Sequence, residues 1–208
     1  MNIAIIVEGK TEKVFMPYVR KYLGKILAGR MPRLDTIPYD GRVPTGEKLK
    51  RVVENLLSGR SRNPADYVLA LTDVYTGTND FKDASDAKDK MKKWVGNEPR
   101  FYPHAAQYDF EAWLLPYWPR IQELTKQEKK APSGNPETVN HCKPPSCHIR
   151  EIFEMGDNGY GYVKTRDVRR ILEGQDLSVA IAQCPELKAF VNTIISVCNL
   201  KQHTEADG

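Results

Sequence analysis

The chain has 208 residues, of which 40% are hydrophobic and 28% are charged, and its formal net charge is +4. This size and composition suit one α/β domain, or one domain with a modest appendage. No apolar run approaches the ~20 residues of a membrane span, and the N-terminus shows no signal-peptide pattern, so we expect a cytoplasmic protein without a membrane partner. The mildly basic charge permits a nucleic-acid partner without requiring one.

The first predicted strand is NIAIIV at residues 2–7, an almost continuous run of apolar and β-branched residues. Such a short run without alternation is typical of a strand buried on both faces, as in a parallel sheet. Thr11 is a candidate cap for the helix that follows. Two neighbouring rows at i+4 spacing give this helix a wide apolar face. The rows are Val14, Tyr18, Tyr22 and Ile26, and Phe15, Val19, Leu23 and Leu27.

Strand and helix patterns then alternate along the chain. Residues 34–39 form a candidate strand, residues 45–58 an amphipathic helix, and YVLALT at residues 67–72 a second buried strand. A weaker helix is predicted over residues 84–94, followed by a strand over residues 101–107. This alternation predicts an α/β fold with a mostly parallel, Rossmann-like sheet flanked by helices.

The pattern changes near Pro116. The segment YDFEAWLL at residues 108–115 is expected to turn helical, and residues 117–130 to continue as a helix. Residues 131–148 are rich in Pro, Ser and Asn and are predicted to form a loop, with short helices after them. We therefore predict three parts. They are an α/β core at 1–116, a helical cap packed on it at 117–200, and a disordered tail at 201–208.

Acidic residues follow three of the predicted strands. Glu8 ends the first strand, Asp73 ends the YVLALT strand, and Asp109 and Glu111 follow the strand over residues 101–107. The carboxyl ends of parallel strands share one edge of a sheet, so these carboxylates are expected to meet there. Such a cluster repels itself unless a cation balances it, and oxygen ligands favour Mg²⁺ or Mn²⁺.

The residues after Glu8 suggest a neighbouring phosphate site. Gly9 would let the backbone approach a phosphate, and the amides at the helix start near Lys10 and Thr11 would face the anion. Each acid also has an ordinary explanation taken alone, since Asp73 fits a turn and Glu12 complements the helix dipole. The joint pattern of acids at like strand ends carries the prediction.

VEGKTEKVF followed by LALTDVY resembles the Toprim domain, the metal-binding α/β fold of topoisomerases, primases and OLD-family nucleases. The chain is more similar still to a bacterial Toprim-like family of unknown function that is often encoded beside AAA-type ATPases in defence loci. That likeness covers most of the chain. The residues that carry it, besides VEGKTE and YDFEAWLL, are Asp73, Tyr75, Asp80, Phe81, Asn135 to Glu137, Tyr162 and Lys164.

The resemblance implies a metal-dependent nuclease, with one departure. Toprim domains carry Asp-x-Asp where this chain has Asp73-Val74-Tyr75, so either Asp109 or Glu111 supplies the missing ligand or the metal site is weakened. In the nuclease reading Glu8, Asp73 and Glu111 are catalytic metal ligands, and Lys164 stabilises charge on the transition-state oxygens. Tyr162 is a candidate substrate-binding residue that would stack on a base.

Two further groups of residues admit more than one interpretation. His141, Cys142, Cys147 and His148 offer zinc ligand types, but paired ligands that are adjacent in sequence fit zinc poorly, and a polar loop is the alternative. Basic clusters lie at residues 20–25, 48–51, 88–93 and 166–170. Each is either the solvated face of a helix or part of a phosphate-binding groove, with Tyr160 and Tyr162 available for stacking.

Three functions remain open from the sequence. The first is a Mg²⁺-dependent nuclease acting on DNA or RNA, as the effector of a partner AAA-type ATPase in a defence system. The second is a catalytically impaired binding or adaptor subunit of such an ATPase. The third is a metal-dependent phosphotransferase on small nucleotides. The oligomeric state does not follow from the sequence.

Overall fold

The structure is a computed structural model that describes residues 1–39, 41–59, 63–75, 79–139, 143–156 and 161–206. In this part of the chain the strands are Asn2–Val7 (β1), Arg33–Pro38 (β2), Tyr67–Asp73 (β3) and Phe101–Ala106 (β4). The α-helices are Lys10–Leu27 (α1), Gly46–Leu57 (α2), Ala84–Val95 (α3), Trp118–Thr125 (α4), Pro145–Met155 (α5), Lys164–Leu172 (α6), Ser178–Gln183 (α7) and Pro185–Ala206 (α8). Phe110–Tyr117 and Pro136–Thr138 are 3₁₀ helices.

The strands form one sheet with the order β2-β1-β3-β4, and every neighbouring pair is parallel. The register places Val7 beside Leu71 and Asp73 beside Ala106. The predicted α/β fold with a parallel sheet flanked by helices is therefore confirmed. All strands end at one edge of the sheet, which we call the carboxyl edge.

Both faces of the sheet are buried, as the apolar run of β1 predicts. Ile3 and Ile5 belong to a core shared with α1 and the C-terminal helices, whereas Ala4 and Ile6 belong to a second core with α2 and α3. This alternation follows from the two-residue period of a strand. The chain thus builds two hydrophobic layers around one sheet, and the carboxyl edge emerges between them.

Helix α1 begins two residues earlier than the capping prediction requires. Gly9 is the N-cap residue and Lys10 is the first helical residue, so Thr11 lies inside the first turn and does not cap the helix. The row from Phe15 to Leu27 is fully buried. The row from Val14 to Ile26 flanks it, and its last residue is 42% exposed. The apolar face of α1 is therefore narrower than predicted.

The helices after residue 116 differ from the prediction in their bounds. The helix predicted over residues 117–130 ends at Thr125, because Lys126 adopts the left-handed conformation that terminates helices. The predicted loop over residues 131–148 contains a 3₁₀ helix and the start of α5. The tail predicted at 201–208 is helical as far as Ala206, which agrees with the helix-favouring Lys, Gln and Glu residues there. The last two residues lie outside the described part.

The C-terminal helices pack directly on the sheet. Phe190 and Ile194 of α8 belong to the same hydrophobic core as Ile3 and Ile5 of β1. Tyr18 of α1 donates a hydrogen bond to the carbonyl of Arg169 in α6. These contacts bring α6, which begins at Lys164, to the side of α1. Among the described helices, none has the length and apolar composition needed to cross a bilayer.

Candidate functional site

Glu8 is held in a fixed position at the carboxyl edge. Because β1 and β3 are neighbours, the residue after Val7 lies beside the end of β3. Oε1 of Glu8 accepts hydrogen bonds from the hydroxyl of Thr72 and from the amide of Asp73, the latter at 2.9 Å. The side chain is only 9% exposed. Two donors thus orient one carboxylate oxygen of Glu8 toward β3.

Asp73 is the last residue of β3 and is half-buried. Burial raises the pKa of its carboxyl group well above the usual range, and the charges of Glu8, Glu12, Asp109 and Glu111 raise it further. An acid that is affected by four others lies near all of them. The acids that the sequence placed at separate strand ends are therefore brought together, and we call Glu8, Asp73, Asp109 and Glu111 the acidic cluster.

A tight turn at Tyr108, after β4, places Asp109 at the carboxyl edge. The amide of Tyr75 donates to the carbonyl of Tyr108 at 2.6 Å, which continues the contact between the two chain segments beyond β3 and β4. Tyr108 has a φ of 68°, a left-handed conformation that an aromatic residue rarely adopts and that tends to occur at functional sites. The two tyrosine rings pack with their centroids 5.2 Å apart.

Asp109 is one hydrogen bond short. Its Oδ2 accepts from the amide of Ser146 at 3.1 Å, in the first turn of α5. Its Oδ1 is buried and accepts no hydrogen bond from any described residue. Burial and the charge of Glu111 raise the pKa of Asp109 to about 7. A buried, unpartnered carboxylate oxygen is costly and calls for a further ligand or donor.

Glu111 is the most deeply buried member of the cluster, with 0% exposure. Nζ of Lys164 lies 3.0 Å from its Oε1, and the hydroxyl of Tyr162 donates to the same oxygen at 3.3 Å. Burial alone would lower the pKa of Lys164, but the charge of Glu111 reverses this effect and the pKa is raised. The first residue of α6 thus supplies a positive charge to the cluster.

The residues after Glu8 have mostly structural contacts. The amide of Gly9 donates to Oε2 of Glu12 at 2.9 Å, so this acid caps the start of α1 from within. Glu12 is buried, which the sequence did not indicate, and its charge contributes to the raised pKa of Glu8. Lys10 is exposed and Thr11 is buried. A phosphate-binding role for Gly9, Lys10 and Thr11 stays a prediction.

One positive side chain does not balance the acids at this edge. Burial raises the pKa of Glu8 to about 7, although the hydrogen bonds from Thr72 and Asp73 lower it. Burial also raises the pKa of Glu12. The raised pKa values of these neighbouring acids come mainly from burial, and mutual repulsion, which Lys164 only partly offsets, adds to the effect.

The donor chemistry of this edge fits a hard divalent cation. Carboxylate oxygens are the preferred ligands of Mg²⁺ and Mn²⁺, and the unpartnered Oδ1 of Asp109 is such an oxygen. Glu8, Asp73 and Asp109 would hold the ion, since Glu111 is engaged by Lys164. Among the described residues, however, no three His, Cys, Asp or Glu side chains already have the arrangement of a metal site. Binding would therefore require these carboxylates to rearrange.

Several other residues of the resembling motifs have structural contacts instead. Asp80 forms an ion pair with Arg42, and Phe81 is buried against the ring of Trp94. Oδ1 of Asn135 accepts from the amide of Glu137, which lies in the second 3₁₀ helix. These positions stabilise the fold around the site.

The zinc prediction cannot be followed through, because His141 and Cys142 lie outside the described residues. Cys147 forms no disulfide, and both it and His148 belong to α5. The aromatic side chain of Tyr162 packs against Phe153, with ring centroids 5.4 Å apart, so one of its faces is already in contact. Tyr160, the other candidate for stacking, also lies outside the described part.

Sequence reasoning missed the residues that position the acids. Thr72 fixes Glu8, and Tyr108 turns the chain toward Asp109. In the sequence, Thr72 looks like any other strand residue. No sequence pattern predicts that a tyrosine will adopt the left-handed conformation. Glu12 had a signal, its place in VEGKTE, but a first-turn acid usually has a simpler explanation in the helix dipole.

Comparison with known proteins gives a family and a fold. The family described as "Domain of unknown function (DUF4276)" matches residues 7–195. No curated protein matches this chain.

Two similar solved structures are C-terminal regions of OLD proteins. The one from Burkholderia pseudomallei superposes with a TM-score of 0.54 at 10% sequence identity, covering 95% of this chain and 98% of that chain. The one from Xanthomonas campestris pv. campestris gives 0.52 at 13% identity, covering 98% of this chain and 97% of that chain. At these identities the likeness is one of fold.

Proposed function

The chain belongs to the DUF4276 family, and from this premise we propose that it is a Mg²⁺- or Mn²⁺-dependent nuclease that hydrolyses phosphodiester bonds of DNA or RNA. The observation that carries the proposal is the acidic cluster at the carboxyl edge, whose charge is not balanced by Lys164. The Toprim resemblance of the sequence and the fold shared with OLD C-terminal regions support the same reading.

Glu8, Asp73 and Asp109 are the proposed ligands of the divalent ion. Held by these carboxylates, a divalent ion would supply Lewis acidity toward the scissile phosphate and would lower the pKa of a water molecule. The chain itself prepares this site, because Thr72 and the amide of Asp73 hold Glu8 in place. Cation binding would also lower the pKa of each acid, since a nearby positive charge favours the ionised carboxylate and so opposes the burial and repulsion that raise these values.

Lys164 has two proposed roles in this reaction. Before substrate binds, its ammonium group compensates Glu111 at 3.0 Å. Its side chain remains 47% exposed, so the same group can contact a phosphate that arrives at the edge. There it would stabilise negative charge on the non-bridging oxygens in the transition state. Tyr162 orients Glu111 through its hydroxyl.

A second function is favoured by one observation. Tyr75 occupies the position of the second acid of Asp-x-Asp and is 42% exposed at the edge, where it pairs with Tyr108. A chain that has lost this acid could keep the fold as a binding or adaptor subunit without chemistry. In either case the resemblance suggests an AAA-type ATPase as the partner, inside the cytoplasm, in a defence system.

The test is cleavage by the purified protein of plasmid, single-stranded DNA and tRNA with Mg²⁺ or Mn²⁺, alone and with any AAA-type ATPase encoded beside it. We expect Glu8→Gln to reduce cleavage at least about a hundredfold, because it removes a metal ligand. The matched control is Glu54→Gln on α2, an exposed acid on the other side of the sheet, which should cleave like the parent.

Cleavage that survives Glu8→Gln would refute the proposed site. Absence of cleavage with every metal and with the ATPase present would favour the adaptor function. Calorimetric titration with Mn²⁺ separates these outcomes further, because the nuclease proposal requires binding that Glu8→Gln weakens and Glu54→Gln does not.

A further inference from the structure

A groove runs between α1 and α6, next to the acidic cluster. Its walls include Lys10, Lys13 and Val14 from α1, and Thr165 and Arg169 from α6, and it encloses about 620 Å³. Residues three or four apart share one face of a helix, so Lys10 and Lys13 line one wall and Thr165 and Arg169 the other. We call this feature the α1–α6 groove.

The rim of this groove carries cations without ion-pair partners. Lys10, Lys13 and Arg169 are exposed, and none of them forms a salt bridge within the described residues. The neighbouring Arg166 and Arg170 differ, because both are paired with Asp167. Among the residues that the structure describes, no acidic side chain lines the groove. The basic cluster predicted at residues 166–170 therefore contributes one arginine to this surface.

The floor of the groove is apolar. Val14, Pro17 and Tyr18 lie between the basic side chains, and the hydroxyl of Tyr18 donates to the carbonyl of Arg169 at 3.2 Å. A basic rim above an apolar floor matches a nucleic-acid strand, in which charged phosphates alternate with sugars and bases that have apolar faces. An acidic peptide would offer few apolar groups to pack against this floor.

The groove begins where the acidic cluster ends. Lys10 is two residues from Glu8 in sequence, and Thr165 directly follows Lys164, which contacts Glu111. Both walls therefore start at the candidate site. A strand that lies in the groove would be led toward the carboxyl edge.

We propose that the α1–α6 groove binds a single nucleic-acid strand, with Lys13 and Arg169 contacting its phosphates from opposite walls. The proposal deepens the nuclease function and rests on it, since the bound strand is the substrate of the acidic cluster. It also explains why Lys13 and Arg169 form no salt bridge within the described residues, while Arg166 and Arg170 both pair with Asp167.

The test measures binding without cleavage. A fluorescein-labelled single-stranded oligothymidylate is titrated with the Glu8→Gln protein in Mg²⁺ buffer at several salt concentrations, with fluorescence anisotropy as the readout. Adding Lys13→Gln and Arg169→Gln should weaken binding about tenfold at low salt. It should also reduce the slope of log K against log salt by about 0.7 for each charge removed.

The matched control carries Lys48→Gln and Arg51→Gln on α2, which packs on the opposite face of the sheet. This pair removes the same net charge and should leave the affinity nearly unchanged. Thermal unfolding of both double variants checks that each is folded.

Equal losses in the test and control pairs, or no loss in the test pair, would overturn the proposal. Competition by polyglutamate at the same charge concentration, or tighter binding of a duplex, would overturn the choice of a single strand.

The experiment also distinguishes failure of the proposed strand-binding groove from failure of the proposed nuclease activity. Parent protein that cleaves while the test pair binds normally rejects only the groove, and groove-dependent binding without cleavage by the parent rejects only the chemistry.

Discussion

Buried acids lie in two regions of this protein, and their surroundings differ. In the C-terminal helices, Glu137 accepts hydrogen bonds from the indole of Trp113 and from the amides of Glu186 and Leu187 at the start of α8. Asp167 is paired with two arginines. At the carboxyl edge of the sheet, the acids instead face one another around a single lysine.

The comparison shows that burial of an acid does not by itself mark a functional site. Glu137 is buried because it fixes a helix terminus, where amides and the helix dipole favour negative charge. Asp109, in contrast, has a buried oxygen that accepts no hydrogen bond from any residue in the described part of the chain. What distinguishes the two regions is whether the protein supplies enough donors and cations, and three experiments follow from this difference.

The largest effect is expected at the satisfied acid. Glu137→Ala removes the acceptor for one indole and two amides, which would lower the free energy of unfolding by about 3 kcal/mol or more. This corresponds to a fall of ~6–12 °C in Tm for a chain of this size. Thermal unfolding by circular dichroism measures it. Glu137→Gln keeps one acceptor oxygen and should lose less. A neutral Glu137→Ala would show that the hydrogen bonds contribute little.

A smaller effect of opposite sign is expected at the acidic cluster. Asp73→Asn keeps the shape of the side chain and removes a charge that four nearby acids disfavour. Without divalent ions at pH 8 we expect a gain of about 1 kcal/mol, or ~2–4 °C in Tm. In the same experiment, Mn²⁺ should stabilise this variant less than the parent. Loss of stability in the metal-free variant would mean that Asp73 has a balancing partner.

The smallest effect is a pH dependence of the metal-free protein. The pKa of Glu8 is raised from 4.5 to about 7, and that of Asp109 from 3.8 to about 7. Between these limits the unfolded chain releases protons that the folded chain retains, so the stability that these two groups contribute is fully present below about pH 4 and is lost as pH rises to about 7. We expect Tm to drop by a few degrees over this window, and Mn²⁺ to restore it more at pH 8 than at pH 5.

Glu8→Gln is the control for this pH dependence. It removes one of the two groups and should flatten the curve, whereas Glu54→Gln should leave the curve unchanged because Glu54 is exposed. A parent Tm that rises from pH 5 to pH 8 would contradict the assignment of raised pKa values to these acids.

The sheet was predictable because its signals are local and strong. The runs at residues 2–7 and 67–72 are apolar without alternation, and both became central strands. Parallel pairing then places Glu8 and Asp73 at one edge as a matter of geometry, so their approach followed from the sequence as well. The position of Asp109 near them followed for the same reason.

The charge balance of the site was not predictable in the same way. The pair of Lys164 and Glu111 joins residues 53 positions apart, and the elements that carry them, α6 and the first 3₁₀ helix, come into contact only in the folded chain. The same holds for Glu137 at the start of α8, whose partners lie far along the chain. No local sequence pattern predicts such contacts, because they depend on how the C-terminal helices pack on the sheet. The observed helix ends also differ from the predicted ones, because helices end where a residue such as Lys126 adopts the left-handed conformation.

The ammonium group of Lys164 beside Glu111 also affects how the protein matures. Many small metalloproteins stay unfolded until their ion arrives, because their ligands repel one another in its absence. Here a resident counter-ion, carried on the chain itself, offsets part of that repulsion from the outset. With the proposed metal site, folding of the chain would therefore not depend on ion supply, and the metal-free protein could remain folded until ion and substrate are present.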